Sequence, residues 1–549
     1  MRVLFIYTDI GISVGYSCGI GILSAYLKEN GHETKLIHVS DELDYSLDIE
    51  KIVKDIKEYD PGLIAFSSVT NQWFYVKIIA KFIRRSCSTP IVVGGHHANA
   101  AAEEIIKEDA VDFVCKGEGE IPLLELVNRI EQGKSLEYIP NMTTKCRTET
   151  LAVSMAATGT DGAIPISIGS CSNLPSPKIH ALNDEISIIA NPVDRWIDDL
   201  DSLPFEDREV FDYDRIVETR DGWAEVIASR GCPYACTYCF NVPFFDMYKD
   251  DLKETEKKVK MKDFIRRRSV ESTVAMLQNV RDNNPHVKSF TFVDDVFAIY
   301  SRWLADLAPL YAEKVGLPFA ATSQPLAFNE KIAGLLKEMG CKVVKMGVEA
   351  GDPEIRNKVL NRNIPDKVLI DSFELARKYG LKPQAFNMIG LPTETRENML
   401  RTASLNSQLR AYIVWVSTFM PYPGTVLDVF CRENDLVDET RWDEIKSYRG
   451  GSVLKETSYT HLELEQVRVL FRWYLNYYMN NECSETYKKN IDELTAMSKD
   501  KWMSGDVEKI WQERDPQIDE MFRKQKVDHY VGKKYVNILW AKEYDYDLS

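Results

Sequence analysis

Short apolar runs alternate along most of the chain with stretches whose apolar residues recur at helical spacing. This alternation predicts strands joined by helices, and therefore parallel sheets with right-handed crossovers. Five such strands are predicted in the N-terminal part, and they are residues 3–7, 34–39, 63–67, 91–93 and 113–114. They predict an α/β, doubly wound, Rossmann-like domain whose ligand binds beyond the carboxyl ends of the strands.

Six further strands are predicted after residue 220, with helix-like stretches between them that often end at glycine, as at Gly316, Gly340 and Gly380. The strands are residues 226–229, 290–293, 319–322, 343–348, 384–389 and 413–419. Repeated βα units of this kind predict a second parallel sheet, and reactive groups collect at the carboxyl ends of strands in barrels built this way.

Helical periodicity replaces the alternation after residue 425. Leu464, Val467, Phe471, Tyr474 and Tyr478 share one helix face, so we predict a C-terminal helical domain whose apolar stripe packs on the preceding sheet. The predicted domains are residues 1–135, a linker at 136–205 that is extended or contains a hairpin, a βα core at 206–430 and a helical domain at 431–549.

Composition narrows the possible functions. The 549 residues are 44% hydrophobic and carry a formal net charge of -16, which suits several globular domains and disfavours nucleic acid as the main partner. The apolar run at the N-terminus is too short for a signal peptide and no stretch is long enough to span a bilayer, so we expect a cytoplasmic protein without a membrane partner. The eleven cysteines do not suggest a disulfide framework.

One motif carries distinctive chemistry. Cys232, Cys236 and Cys239 lie on a short loop directly after an apolar strand. Three thiolates can hold three corners of a 4Fe-4S cluster and leave one iron open, whereas clusters that only transfer electrons usually take four thiolates. The alternative is a zinc site completed by a distant Cys or His.

The cysteine spacing, with Tyr238 just before the last cysteine, resembles the signature of the radical S-adenosylmethionine (SAM) enzymes. The resemblance implies a partial, TIM-type (β/α)6 barrel. It also implies a cluster whose open iron binds SAM and whose electron cleaves SAM to a 5'-deoxyadenosyl radical. It further implies that residues at the strand ends bind SAM, namely Tyr238, Asp294, Asp295, Gln324, Glu349, Asn387, Ile389, Gly390 and Leu391.

The order of the domains resembles the cobalamin-binding subfamily of these enzymes, over residues 1 to 430, and the Gly117-Glu118-Gly119-Glu120 stretch adds to the likeness. The loop of residues 8–16 has no histidine, so a histidine ligand to cobalt is not expected. The resemblance implies cobalamin as a cofactor, with candidate contacts at Ser67, Ser68, Thr70, Gly94, Gly95, His96, Glu118 and Gly119.

The function implied is methylation of an unactivated carbon in a small-molecule or natural-product substrate, with an electron donor such as flavodoxin or ferredoxin. Two alternatives remain open, namely an oxidative cyclase or ring-rearranging enzyme with the same cofactors, and a non-catalytic cobalamin or iron-sulfur sensor. The basic residues at 245–268 predict either a solvated surface or a lid over an anionic substrate.

Overall fold

The computed structural model describes residues 1–148, 174–253, 255, 258–442 and 451–531. Residues 149–173 of the predicted linker lie outside this described part. The chain divides into two compact units. The first comprises Met1–Tyr234, Cys239–Met276 and Tyr422–Val426, and the second comprises Ala235–Tyr238, Leu277–Pro421 and the residues from Leu427 onward.

The first unit contains the parallel sheet that the N-terminal pattern predicts. Its strands are β1 (Arg2–Thr8), β2 (Glu33–Val39), β3 (Leu63–Ser67), β4 (Ile91–Gly94) and β5 (Phe113–Cys115). Its helices are α1 (Cys18–Glu29), α2 (Ile49–Tyr59), α3 (Trp73–Ser86), α4 (His96–Ile105) and α5 (Glu120–Gln132). The strand order β2-β1-β3-β4-β5 changes direction at β1, so the domain is doubly wound as predicted.

Three antiparallel strands extend this sheet beyond β5. They are β6 (Met142–Arg147), β7 (Lys178–Ala181) and β8 (Ile186–Ala190), in the order β5-β6-β8-β7. They fall in the segment that the sequence indicates as a linker. All four residues of β7 are exposed, which explains why the segment lacks the apolar alternation of a buried strand.

The remaining elements of the first unit lie on either side of the cysteine motif in the sequence. They are α6 (Tyr213–Thr219), β9 (Trp223–Val226), β10 (Ser229–Arg230), α7 (Asn241–Leu252), α8 (Met261–Phe264), β11 (Arg266–Arg267) and the start of α9 (Val270–Asn283). The strand predicted at 226–229 is therefore divided into β9 and β10. β10 pairs antiparallel with β11 and leads directly into the cysteine loop.

A buried ion network holds the β10–β11 pair. The Glu118 carboxylate lies 2.9 Å from Arg230 and 2.9 Å from Arg266, and it accepts a hydrogen bond from the Ile197 N–H at 2.8 Å. Arg230 also pairs with Glu120 at 2.6 Å. Burial alone would raise the pKa of Glu118, but the two arginines lower it below its usual value. The network thus fixes the strand that precedes the cysteines.

Two arginines of the basic segment at 245–268 belong neither to a solvated surface nor to a lid. Arg266 and Arg268 are buried, and the Arg268 guanidinium donates to the carbonyl oxygens of Leu203 and Pro204. The prediction is therefore wrong for these two residues. A run of like charges is usually solvated, but here acidic and carbonyl partners distant in sequence accept the guanidinium hydrogens.

The second unit contains five parallel strands, β12 (Ser289–Phe292), β13 (Phe319–Ser323), β14 (Cys341–Glu349), β15 (Lys382–Ile389) and β16 (Ile413–Thr418). They are neighbours in the order β16-β15-β14-β13-β12. The helices that connect them are α10 (Ser301–Lys314), α11 (Glu330–Glu338), α12 (Asp366–Lys378) and α13 (Arg396–Leu409), with a π-helix at Ile355–Val359. The predicted strands agree with the observed ones to within two residues.

The described part of the C-terminal segment is helical, as the periodicity predicts, and its boundary at residue 431 stays a prediction. Its helices are α14 (Val426–Glu433), α15 (His461–Tyr478), α16 (Ser484–Thr495), α17 (Lys499–Met503) and α18 (Asp506–Gln525). The apolar stripe of α15 packs in one cluster with Ile389 of β15 and Met399 of α13, as predicted. Within the described ranges, no helix is both long and apolar enough to cross a bilayer.

We predict that Glu118→Gln lowers the free energy of unfolding by about 3 to 5 kcal/mol, because the buried Arg266 guanidinium loses the carboxylate that compensates it and Arg230 keeps only Glu120. Urea unfolding would measure the change. Glu354→Gln is the matched control, since the Glu354 carboxylate pairs with Lys358 at 2.7 Å on the surface, where such a pair contributes at most about 1 kcal/mol. Equal urea midpoints for the two variants would contradict the network's role.

Candidate functional site

The cysteine loop has hydrogen-bond donors near two of its sulfur atoms. In the second unit, Arg362 Nη1 lies 3.8 Å from Cys236 Sγ, and in the first unit the Asn241 N–H donates to Cys239 Sγ at 3.5 Å. Donors of this kind stabilise thiolates and tune the potential of an iron-sulfur cluster. The surroundings of these two cysteines therefore fit iron-bound sulfur.

In the part of the chain that the structure describes, no three or more Cys, His, Asp or Glu side chains are grouped so that they could hold one metal ion. A 4Fe-4S cluster makes a different demand, because each thiolate binds its own iron.

Glu349 ends β14 in a left-handed backbone conformation, with φ at 69°, and its side chain is almost completely buried. A non-glycine residue adopts this conformation at a cost of about 1 to 2 kcal/mol. Burial raises the pKa of the Glu349 carboxyl, while Arg362 and a hydrogen bond from Tyr238 partly offset that rise. The carboxylate is therefore held in a defined direction near a cation.

Arg362 connects the groups around Glu349. Its Nη1 lies 3.7 Å from Glu349 Oε1 and donates to the Tyr238 hydroxyl at 2.9 Å, and its Nη2 donates to the Gly347 carbonyl at 2.8 Å. Burial alone would lower the pKa of Arg362, but Tyr238, Glu349 and Cys236 together raise it. A Cβ at residue 347 would overlap the Glu349 carboxylate, so a larger residue there would displace the carboxylate from this position. Sequence reasoning missed Arg362 because it lies in an irregular loop without a motif.

The other predicted SAM residues of β12 and β13 differ in exposure. Asp294 is 1% exposed, whereas Asp295 is exposed. Gln324 is buried, and its Oε1 accepts a hydrogen bond from the Leu326 N–H at 3.1 Å. Of these three side chains, only that of Asp295 is open to solvent.

At the end of β15, the side chains of the predicted SAM residues are buried or bonded to other side chains. Asn406 of α13 donates to the Asn387 side chain at 2.7 Å, and Ile389 is fully buried against the C-terminal helices. Gly390 has a positive φ of 77°, and Leu391 is fully buried. The Gly390 carbonyl accepts a hydrogen bond from the Tyr459 hydroxyl at 2.8 Å, and the Leu391 N–H donates to Glu394, so a ligand at this strand end would meet main chain whose polar groups already have partners.

Glu394 is a second buried acid that sequence reasoning missed. Its Oε2 accepts the Leu391 N–H at 2.9 Å, and within the described part of the chain its Oε1 has no hydrogen-bond partner. Burial raises the pKa of Glu394 to about 8, although the backbone N–H groups of Leu391 and Gly390 lower it. An acid shortly before a helix normally indicates a cap, so no local pattern indicates that this one is buried.

The candidate residues at the ends of β3 and β4 form one cluster. The Ser68 N–H donates to the Gly94 carbonyl at 2.9 Å, and the His97 N–H donates to the Ser68 carbonyl at 3.0 Å. Gly95 has a φ of 94°, and a Cβ there would lie 2.7 Å from the Ser68 oxygen. Ser67 adjoins this contact, and the His96 ring lies 4.3 Å from the Phe240 ring. The two strand ends are thus locked closely together.

His97, which the sequence indicates together with His96 as a loop or nucleotide-tail contact, also belongs to this cluster. It is 4% exposed, its Nδ1 lies 3.3 Å from Thr70 Oγ1, and its ring is 5.2 Å from that of Trp73. Burial lowers the pKa of His97 to about 4, so the ring is neutral at pH 7. Among the described residues, none makes a hydrogen bond with its Nε2.

Two other candidate residues, Glu118 and Gly119, already pack against the protein itself. The Glu118 carboxylate is engaged by Arg230 and Arg266, and a Cβ at Gly119 would lie 3.3 Å from a methyl carbon of Leu23. The assignment of Glu118 and Gly119 to cobalamin stays a prediction.

The loop after β1 contains a buried pair. Asp9 Oδ2 accepts the Gly15 N–H at 2.8 Å and lies 2.9 Å from His38 Nε2. Both side chains are buried, so the loop is held by its own acid rather than left open.

Comparison with family models decides the identity of both regions. Residues 226–405 match the model of the radical SAM superfamily, and residues 13–127 match that of the B12 binding domain. The chain combines a B12-binding domain with a radical SAM domain. The predicted family resemblance and fold class are confirmed, and the cysteine motif lies inside the radical SAM domain. These two kinds of domain confirm the predicted cofactors, which are a 4Fe-4S cluster, SAM and cobalamin.

Similar proteins match this chain over most of their length. The chain is 26% identical over 474 residues to an uncharacterized methyltransferase of Pyrococcus horikoshii, covering 85% of this chain and 88% of the relative. It is 22% identical to the anaerobic magnesium-protoporphyrin IX monomethyl ester cyclase of Rubrivivax gelatinosus, covering 80% and 71%.

A solved structure supports the fold. The cobalamin-dependent SAM radical enzyme OxsB, with aqua-cobalamin and SAM bound, superposes with a TM-score of 0.60 at 14% identity, covering 98% of this chain and 77% of that protein. At this identity, the likeness concerns the fold alone.

We predict that Glu394 makes the stability of the radical SAM domain depend on pH. Its pKa of about 8 in the folded protein lies above its unfolded value of about 4.3. The stability that Glu394 contributes is therefore complete below pH 4 and is lost as the pH rises to 8. Above pH 8 that contribution no longer changes. Relative to the native protein, Glu394→Gln should gain up to about 4 kcal/mol in the free energy of unfolding between pH 5 and pH 8. Urea unfolding at both pH values tests this, with exposed Glu330→Gln as the control. A constant difference between native and Glu394→Gln proteins would refute it.

Proposed function

We propose that the protein is a cobalamin-dependent radical SAM methyltransferase that methylates an unactivated carbon of a small-molecule substrate. The observation that carries the proposal is the buried constellation of Cys236, Arg362 and Glu349, which lies inside the radical SAM match of a chain that also has a B12-binding domain. The methyltransferase name of the Pyrococcus horikoshii relative supports the choice of methyl transfer.

The cysteine motif and its neighbours would hold the cluster. Cys232, Cys236 and Cys239 supply three thiolates, and the Arg362 guanidinium and the Asn241 N–H each donate toward one of their sulfur atoms. When bound, the reduced cluster supplies the electron that cleaves SAM, and cobalamin supplies methyl-carrying chemistry. The role of the protein is to position these groups and to exclude water.

Glu349 suits the ribose of SAM. An ionised carboxylate accepts two hydrogen bonds, which matches a diol. Burial raises the pKa of Glu349 and so opposes its ionisation. Arg362 and Tyr238 lower that pKa and so favour the ionised carboxylate. The main chain of Gly390 and Leu391 would contact the base, and the exposed Asp295 would meet the SAM amino group.

The predicted domain boundaries and the electron donor belong to this proposal. We place the cobalamin-binding domain at residues 1–135 and the radical SAM core at 206–430, which contain the two family matches. A flavodoxin or ferredoxin would deliver the electron that SAM cleavage requires.

A second candidate is oxidative cyclisation or rearrangement with the same cofactors, and the cyclase name of the Rubrivivax gelatinosus relative favours it. Turnover with SAM that carries a deuterated methyl group separates the two. Methylation places deuterium from that methyl group in the product, whereas cyclisation and rearrangement place none there.

We predict that Cys236→Ala abolishes reductive SAM cleavage but leaves cobalamin bound. Anaerobic reconstitution with iron, sulfide and hydroxocobalamin, followed by iron and cobalt counts and assay of 5'-deoxyadenosine, measures both. The native protein should hold roughly four irons. Cys87→Ala, at the end of α3, is the control and should match the native protein. Retained cleavage in Cys236→Ala would overturn the cluster assignment and with it the proposed function.

We predict that His97→Ala weakens hydroxocobalamin binding by roughly tenfold without changing the iron count. If Thr70 donates to Nδ1, the neutral ring carries its proton on Nε2, and that buried donor needs an acceptor, which the cofactor can provide. Equilibrium dialysis of cobalamin measures the affinity. His180→Ala, on exposed β7, is the control. Native affinity in the His97→Ala protein would exclude His97 from the cofactor site.

A further inference from the structure

The outer edge of the five-stranded sheet in the second unit presents an aromatic side chain on one face. Val414 and Val416 of β16 pack against the C-terminal helical cluster. Successive side chains of a strand point to opposite faces, so Trp415 lies on the face away from those helices. Its side chain is 37% exposed, which is unusual for so large an apolar group.

The same reasoning places Phe386 of β15 beside Trp415. Asn387 and Ile389 contact α13 and the C-terminal helices, so Phe386 lies on the opposite face. Phe386 and Trp415 are partners in register, and their ring centroids are 6.4 Å apart with an interplanar angle of 69°. The two rings form a corner on which a flat group can stack on one ring and meet the edge of the other.

Two further apolar side chains are open farther across the same sheet. Val293 directly follows β12 and is 40% exposed, and Leu326 follows β13 and is 49% exposed. In barrels of this type, the carboxyl ends of the strands form the face where substrates bind. We call the adjacent rings of Phe386 and Trp415 the apolar wall.

A polar atom lies one layer deeper on the same face. Gln384 precedes Phe386 by two residues on β15, is 2% exposed and is in register with Lys345 of β14. Within the described part of the chain, Gln384 Oε1 has no hydrogen-bond partner. A buried acceptor without a donor costs about 1 to 3 kcal/mol, and a ligand that donates to Gln384 Oε1 would recover that cost.

The apolar wall is continuous with the candidate SAM site. Gly347 of β14 is the register partner of Phe386, and its carbonyl accepts the Arg362 hydrogen bond. Arg362 in turn reaches Cys236 and Glu349. A molecule bound to the apolar wall would therefore lie next to the residues proposed to hold the cluster and SAM.

We propose that the apolar wall and Gln384 bind the substrate, and that this substrate carries a flat aromatic group with an O–H or N–H donor. The proposal rests on the proposed function and specifies its substrate class. A saturated ring of the same size would fill the volume but could not stack on Phe386 or Trp415.

The test compares 2-naphthol with decahydro-2-naphthol, which share a donor and a carbon skeleton and differ in aromaticity. Isothermal titration of the reconstituted protein with SAM should show that 2-naphthol binds at least fivefold more tightly. Trp415→Leu keeps apolar area without a ring, and it should lower 2-naphthol affinity roughly fivefold while changing that of the saturated alcohol little. Gln384→Leu should weaken both alcohols. Phe82→Ala, with an exposed ring on α3, is the control.

Equal affinity for the two alcohols, or a Trp415→Leu variant with the affinities of Phe82→Ala, would overturn the substrate class. A different result would overturn the proposed function. If the native protein cleaves no SAM yet binds 2-naphthol selectively, the methyltransferase proposal is wrong and the aromatic site stands. If it cleaves SAM but shows no selectivity, only the substrate class is wrong.

Discussion

The second unit is organised around the buried Arg362 guanidinium, which lies near a thiol, a phenol, a carboxylate and a backbone carbonyl. A buried cation is tolerated only when its hydrogens meet acceptors and its charge meets anions. The acceptors around Arg362 come from the cysteine loop and from both the end and the body of β14. One side chain thereby sets the distances among groups that are far apart in sequence.

Glycines complete this arrangement. At Gly347 a side chain would occupy the space of the Glu349 carboxylate, and at Gly95 in the first unit it would enter the backbone of Ser68. At Gly95 the close contact is with backbone, which cannot move aside, whereas a side chain at residue 347 would displace the Glu349 carboxylate. Each unit therefore achieves its geometry by the absence of a side chain as well as by hydrogen bonds.

Much of the fold was predictable because its signals are local. Buried parallel strands are short apolar runs, and the cysteine spacing is visible in eight residues. What the sequence did not indicate depends on partners distant in the chain. Arg362 and Glu394 gain their roles from burial, which no local pattern records. Arg266 resembles a surface residue in the sequence because its partner Glu118 is 148 residues away. The antiparallel strands β6 to β8 lacked the apolar alternation that local reasoning requires.

The pair formed by Asp9 and His38 limits how a histidine ligand to cobalt could be held in the loop after β1. A histidine that ligates a metal usually donates its other ring N–H to a carboxylate or a carbonyl, which fixes the ring. Here His38 and the Gly15 N–H both meet the same oxygen of the Asp9 carboxylate, Oδ2. A new histidine that used Asp9 without displacing either partner would have to donate to the other oxygen, Oδ1. The existing pair thereby restricts the direction from which such a ring could approach.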